Sequence, residues 1–67
     1  MKKRNVNNKI IVYRKVLELK QFELAEMIGV THQALSAWEK GLQLPRVDNA
    51  IRLADVLETT VEDLFSP

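Results

Sequence analysis

Apolar residues recur at helical spacing in five short runs of this chain, and nowhere do they alternate with the period of two that marks a half-buried strand. Ile10, Tyr13, Arg14 and Leu17 share one face of a first helix, with Asn7 and Asn8 as candidate N-caps. Leu19 then tucks in as the chain turns. A second helix is predicted over Gln21–Ile28, with Phe22, Leu24, Ala25 and Ile28 apolar, and Gly29 suits the left-handed residue that closes it. Thr31 can cap a third helix over residues 32–40, which Gly41 ends, and Leu42–Pro45 reads as a loop. A fourth helix over Val47–Leu57 sets Val47, Ala50, Ile51, Ala54 and Leu57 on one face. Thr60–Asp63 resembles a capping box with Asp in place of Glu. It opens a fifth helix that returns Leu64 and Phe65 to the core. The predicted class is all-α, a compact bundle of five short helices.

The stretch Gln21–Lys40 carries the most information. Leu24, Ala25, Ile28, Val30, Leu35 and Trp38 fall where two crossing helices bury side chains, and Gly29 falls where the chain must turn sharply. Thr31, His32, Gln33, Ser36 and Ala37 are left facing outward on the third helix. Small and hydrogen-bonding residues on the open face of the second of two crossed helices are the layout of a DNA-reading helix-turn-helix.

Composition narrows the alternatives. At 67 residues, 46% hydrophobic and 28% charged, the chain suits one globular domain rather than a disordered segment. It has no cysteine, so neither a disulfide nor a Cys-based zinc site can support the core. Its single histidine, His32, has no second His or Cys with which to build a metal site, and no cofactor is expected. No nucleophile–base pair and no Gly-rich phosphate loop are available for catalysis, and Glu23 and Glu26 read as a solvated helix face. No apolar run approaches the roughly 20 residues of a membrane span. The run Ile10–Tyr13 behind the basic N-terminus is too short for a signal peptide, so a cytoplasmic protein is expected.

The net charge of +1 conceals a gradient. Residues 1–20 hold Lys2, Lys3, Arg4, Lys9, Arg14, Lys15 and Lys20 against Glu18 alone. Residues 21–46 are near neutral. Residues 47–67 set Asp48, Asp55, Glu58, Glu62 and Asp63 against Arg52. A basic front and an acidic back would orient the molecule toward phosphate, although charged tails also serve plain solubility.

Gln21, Leu24, Ala25, Gly29, Val30, Leu35, Ser36, Trp38, Glu39 and Gly41 together resemble the Cro/repressor-type helix-turn-helix family of phage repressors and small bacterial regulators. Arg14 before this stretch and Pro45, Ala50, Leu53, Ala54, Leu57, Leu64 and Phe65 after it extend the resemblance over about residues 9–65. The resemblance implies that Gln21 touches a phosphate and braces the reading helix. It implies that His32, Gln33, Ser36 and Ala37 meet base edges, that Thr31 and Lys40 meet phosphates, and that Arg14 and Glu39 form an internal ion pair. Some positions depart from the family. Lys20 and Arg46 replace capping Ser or Thr, and Glu18 and Glu58 stand where relatives place Gly at a helix end. Leu42 follows Gly41 where relatives place a basic residue, which weakens one phosphate contact.

Each candidate has a plainer alternative. Gln33 can pair with adenine through two hydrogen bonds, or be a solvated polar residue. His32 can meet a phosphate or base, or only water. Ala37 can touch a thymine methyl, or serve helix propensity alone. Trp38 shares the inward face with Leu35 and reads as core. Lys2, Lys3 and Arg4, within a flexible basic arm over residues 1–6, can follow the DNA or remain solvated. The domain proper is expected over residues 7–67. Leu42, Leu44, Ile11 and Val12 are apolar at surface positions and are candidates for a dimer or partner surface.

The expectation is a transcriptional regulator, a repressor that binds a palindromic operator on double-stranded DNA as a homodimer, with the third helix in the major groove. The rival is an antitoxin-like module that uses the same fold to bind a protein partner, a toxin or another regulator.

Overall fold

The computed structural model describes residues 8–66; Lys2, Lys3, Arg4 and Asn7 lie outside them. The chain forms five helices in the order α1 (Ile10–Val16), α2 (Gln21–Ile28), α3 (His32–Glu39), α4 (Val47–Val56) and α5 (Val61–Phe65), with no strand among the described residues. α2 packs on α3 and on α4, and α4 packs on α5. The structure is all-α, as the apolar periodicity predicts.

Starts and stops follow local chemistry. Thr31 accepts the Ala34 N–H at 3.0 Å and Thr60 accepts the Asp63 N–H at 3.0 Å, so both threonines satisfy an orphan donor of a helix N-terminus. Lys20 has no acceptor to offer, and α2 uses the other half of a capping box: Glu23 Oε1 accepts the Lys20 N–H at 2.7 Å. At α1 the cap position falls to Lys9, one residue beyond the expected asparagines, and Lys9 makes no side-chain cap. Asn8 still contributes, because its Oδ1 accepts the Ile10 N–H at 3.1 Å.

The first four helices end alike. Glu18, Gly29, Gly41 and Glu58 have φ of 58°, 76°, 75° and 60°. In each case the following residue donates back into the last turn: Leu19 to Arg14 O, Val30 to Ala25 O, Leu42 to Ala37 O and Thr59 to Ala54 O, at 2.9–3.1 Å. These are Schellman closures, which satisfy otherwise unpaired carbonyls and reverse the chain. Glycine meets the left-handed requirement at two of them, and glutamate accepts its steric cost at the other two.

One core holds the helices together. Ile10, Leu24, Leu35, Leu53, Leu57 and Leu64 are sealed from solvent, and Ala25, Ile28, Trp38 and Ala54 complete the cluster. Each large side chain gains roughly 1.5–3 kcal/mol from burial. The Lys9 N–H donates to Leu64 O at 2.7 Å, which ties the start of α1 to the end of the bundle.

The inward face of α4 differs from expectation. Val47 and Ile51 are 76% and 56% exposed, while Ala50, Leu53, Ala54 and Leu57 are buried. The apolar stripe of α4 is wider than the surface that α2 and α5 cover, and the packing selects the side carrying Leu53. Phe22 and Met27 of α2 also face solvent.

Replacing Glu58 by Gly should relieve the left-handed backbone and stabilise the domain by about 1 kcal/mol. That corresponds to a rise in Tm of about 4–8 °C on thermal melting. An unchanged Tm would mean that the turn carries no cost at Glu58.

Candidate nucleic-acid interface

The Gly29 turn sets α2 and α3 across each other. Gly29 has φ 76°, and a Cβ added there would meet nothing within 4 Å. Its requirement is therefore backbone conformation and not space. Leu24, Ala25 and Ile28 of α2 and Leu35 and Trp38 of α3 are buried, as expected of a crossed pair. Trp38 is only 6% exposed and belongs to the core.

With those residues inward, α3 presents a defined outer face. Thr31, His32, Gln33 and Lys40 are exposed, and Ser36 and Ala37 are half-buried. His32, Gln33, Ser36 and Ala37 line one open depression of about 230 Å³ together with Lys40 and Leu42. The four residues expected to meet bases therefore share one surface, with Lys40 beside them. Thr31 sits at the start of α3, where its hydroxyl oxygen accepts from Ala34 and its hydrogen remains free to donate.

Behind this face lies a polar anchor. Glu39, whose side chain is 3% exposed, accepts Arg14 Nε at Oε2 (2.8 Å). Its Oε1 accepts Arg14 Nη2 at 3.3 Å and Gln21 Nε2 at 2.8 Å. Arg14, 13% exposed, also donates through Nη1 to Leu19 O at 3.0 Å. The expected Arg14–Glu39 pair is present and is bidentate. Gln21 braces α3 through Glu39 and keeps a second amide hydrogen available.

Three features were not evident from the pattern. Leu42 lies on the depression with the expected reading residues. The residue after a left-handed closing glycine folds back over the preceding turn, so Gly41-Leu42 carries the signal for its position. Gln21 pairs with Glu39, eighteen residues away, which no local signal announces. Asn8 Nδ2 donates to Trp38 O at 2.9 Å, fixing the start of the described chain at the C-terminal end of α3.

A second open depression, of about 270 Å³, is almost wholly apolar and is lined by Leu44, Pro45, Val47, Ala50, Ile51, Val61 and Phe65. The acidic Asp48, Asp55, Glu58, Glu62 and Asp63 are all exposed on α4, α5 and their connection. No described helix is long and apolar enough to cross a membrane. No three His, Cys, Asp or Glu among the described residues come together to hold a metal.

Two crossed helices on a Gly turn, a buried tryptophan behind the second and polar groups before it define a helix-turn-helix protein. Residues 11–64 match the model of the family described as helix-turn-helix, and the chain belongs to that family, of the Cro/repressor type. It is a family of DNA-binding regulators and not of enzymes. The chain is 35% identical over 60 residues to an uncharacterized HTH-type transcriptional regulator of Methanocaldococcus jannaschii, covering 90% of this chain and 91% of that protein. It is similar to the P22 c2 repressor in complex with a synthetic operator, at TM-score 0.84 and 28% identity, over 96% of this chain and 97% of that one. It is also similar to SinR in its complex with SinI, at TM-score 0.80 and 34% identity, over 87% of this chain. There it spans 57% of the solved chain.

Loss of Glu39 should be costly. Glu39→Leu leaves the Arg14 guanidinium and the Gln21 amide against an apolar side chain in a nearly closed site and is expected to destabilise the domain by about 3–5 kcal/mol in urea unfolding. The double substitution Arg14→Met with Glu39→Leu should recover most of that loss, because it removes the stranded charge as well. If the single variant unfolds at the wild-type urea midpoint, the ion pair does not hold α1 to α3.

Proposed function

We propose that this protein is a sequence-specific DNA-binding transcriptional regulator, a repressor that inserts α3 into the major groove and occludes its operator. The observation that carries this reading is the single depression on α3 that gathers His32, Gln33, Ser36, Ala37 and Lys40. A major groove about 12 Å wide admits one helix and displays donors, acceptors and thymine methyls to it. Gln33 has the geometry to donate to and accept from adenine, and Ser36 can bond to either kind of base edge. Thr31, Lys40 and the free hydrogen of Gln21 are the phosphate contacts that fix register. The anchor at Glu39 keeps Gln21 beside α3, so positioning and reading move as one unit.

Lys2, Lys3 and Arg4 are proposed to add phosphate contacts. Support comes from Asn8, which fixes the chain to Trp38 O at the end of α3. Each residue before Asn8 can extend the reach by at most about 3.5 Å, a span that allows the basic trio to meet DNA lying on α3. The reading sets the protein in the cytoplasm, beside its DNA.

The operator is proposed to be palindromic and the bound form a homodimer. The described chain presents one reading helix, and specific binding of this kind uses two half-sites one helical turn apart, about 34 Å. The surface proposed for the second copy is the apolar depression on α4 and α5, where Val47 and Ile51 face solvent unpartnered. It is joined to the reading surface through the loop carrying Leu42 and Leu44. The solved complex of SinR with SinI shows that a protein of similar fold can also take a protein partner.

Selection from a randomised duplex library at near-physiological salt tests the reading. A palindrome should emerge, and Gln33→Ala should relax preference at one position per half-site while losing about 1–3 kcal/mol of discrimination there. Recovery of no sequence, with only bulk salt-sensitive binding, would remove α3 as a reader.

Sedimentation tests the dimer. Ile51→Glu should leave the melting temperature near wild type, shift the protein to monomer and weaken operator binding. Undiminished self-association in that variant would move the dimer surface elsewhere. A heterologous protein that competes with self-association for this face would assign it to a partner instead.

A further inference from the structure

We infer that the depression on α3 contains a notch for the C5-methyl group of a major-groove pyrimidine, walled by Ala37 and Leu42, and that Leu42 is a specificity-determining residue. The inference rests on the reading above, in which α3 enters the major groove. Leu42 is 52% exposed, yet its backbone is fixed. Its N–H donates to Ala37 O at 3.0 Å, and the buried Gly41 before it is locked at φ 75°. The closure of α3 therefore holds an isobutyl group at the edge of a surface otherwise lined by His32, Gln33, Ser36 and Lys40.

An apolar side chain held in water gains only if the ligand covers it with something apolar. The base edges of the major groove offer one such group, the methyl at C5 of thymine. Ala37 is small enough to admit it, and Leu42 supplies the second wall. Lys40 on the same surface adds a positive charge that suits a polyanion and opposes burial under an apolar peptide or a lipid chain. The same methyl occurs on 5-methylcytosine, so the notch takes a 5-methylpyrimidine from either source. A basic residue in place of Leu42 would add a phosphate contact; leucine gives up that charge and gains discrimination between bases.

The test uses the duplex recovered from library selection, with uracil replacing thymine one position at a time. Burial of one methyl is expected to give about a fourfold effect. Uracil at one position per half-site should weaken wild-type binding by that factor, and the penalty should vanish in Leu42→Ala, whose melting temperature is checked to exclude unfolding. Thymine at that position in the selected site identifies thymine as the source. A selected cytosine whose methylation strengthens wild-type binding about fourfold, and Leu42→Ala binding not at all, identifies 5-methylcytosine. An equal uracil penalty in both proteins overturns the role of Leu42. A recovered palindrome with no penalty at any thymine, and no effect of cytosine methylation, overturns the notch while leaving α3 as the reader. Failure to recover any sequence overturns the reading and the notch together.

Discussion

The Glu39 carboxylate joins three helices at one point. Arg14 from α1 and Gln21 from α2 converge on it, while Glu39 itself is the last residue of α3. Its two oxygens accept three hydrogen bonds, and Arg14 also binds the carbonyl of Leu19 in the α1–α2 turn. A charge this enclosed is unfavourable unless fully partnered, and the partners come from fixed directions. That directionality is what apolar packing lacks. Burial of Leu35 and Trp38 with Leu24 and Ile28 is non-directional in its driving force, whereas a bidentate guanidinium–carboxylate pair fixes an orientation. The orientation of the outer face of α3 relative to Gln21 follows from this anchor.

Helix ends supply the second constraint. Each α-helix leaves carbonyls unpaired, and in a bundle of helices five to ten residues long the ends are a large share of the backbone. The same left-handed closure is used at Glu18, Gly29, Gly41 and Glu58. Beyond satisfying carbonyls, the closure fixes where the next residue goes. Leu19 and Val30 are thereby packed against the core. After Gly41 the same geometry delivers Leu42 to the depression lined by His32, Gln33, Ser36, Ala37 and Lys40. One backbone device thus serves both packing and the outer face.

Half of the exposed large apolar residues are grouped at two depressions, while Ile11, Val12, Val16, Phe22 and Met27 line neither. Leu44, Val47, Ile51 and Val61 border one depression, with Leu42 on the other. In a chain this small the surface is large relative to the core, and exposed apolar groups in clusters mark contact surfaces more often than isolated ones do. The charge gradient complements this arrangement. Five of the nine acidic residues occupy α4, α5 and their connection, while seven of the ten basic ones precede α2.

Much of this was legible in the sequence because its causes are local. Apolar periodicity fixed the number and type of helices, Thr31 and Thr60 marked two starts, and Gly29 and Gly41 marked two ends. The outward placement of His32, Gln33 and Ser36 followed from the inward placement of Leu35 and Trp38 on the same short helix. The ion pair of Arg14 with Glu39 was legible only through family resemblance, since the two residues are twenty-five positions apart. What the tertiary structure alone decided has non-local causes. Val47 and Ile51 lie on the same wide apolar stripe as Ala50 and Ala54, and only the packing of α4 against α2 and α5 determines which edge is covered. Asn8 meets Trp38, and Gln21 meets Glu39, because the bundle brings distant segments together. The sequence determined which elements form and which faces they have; contact between those faces determined which apolar surface remained open to a ligand or partner.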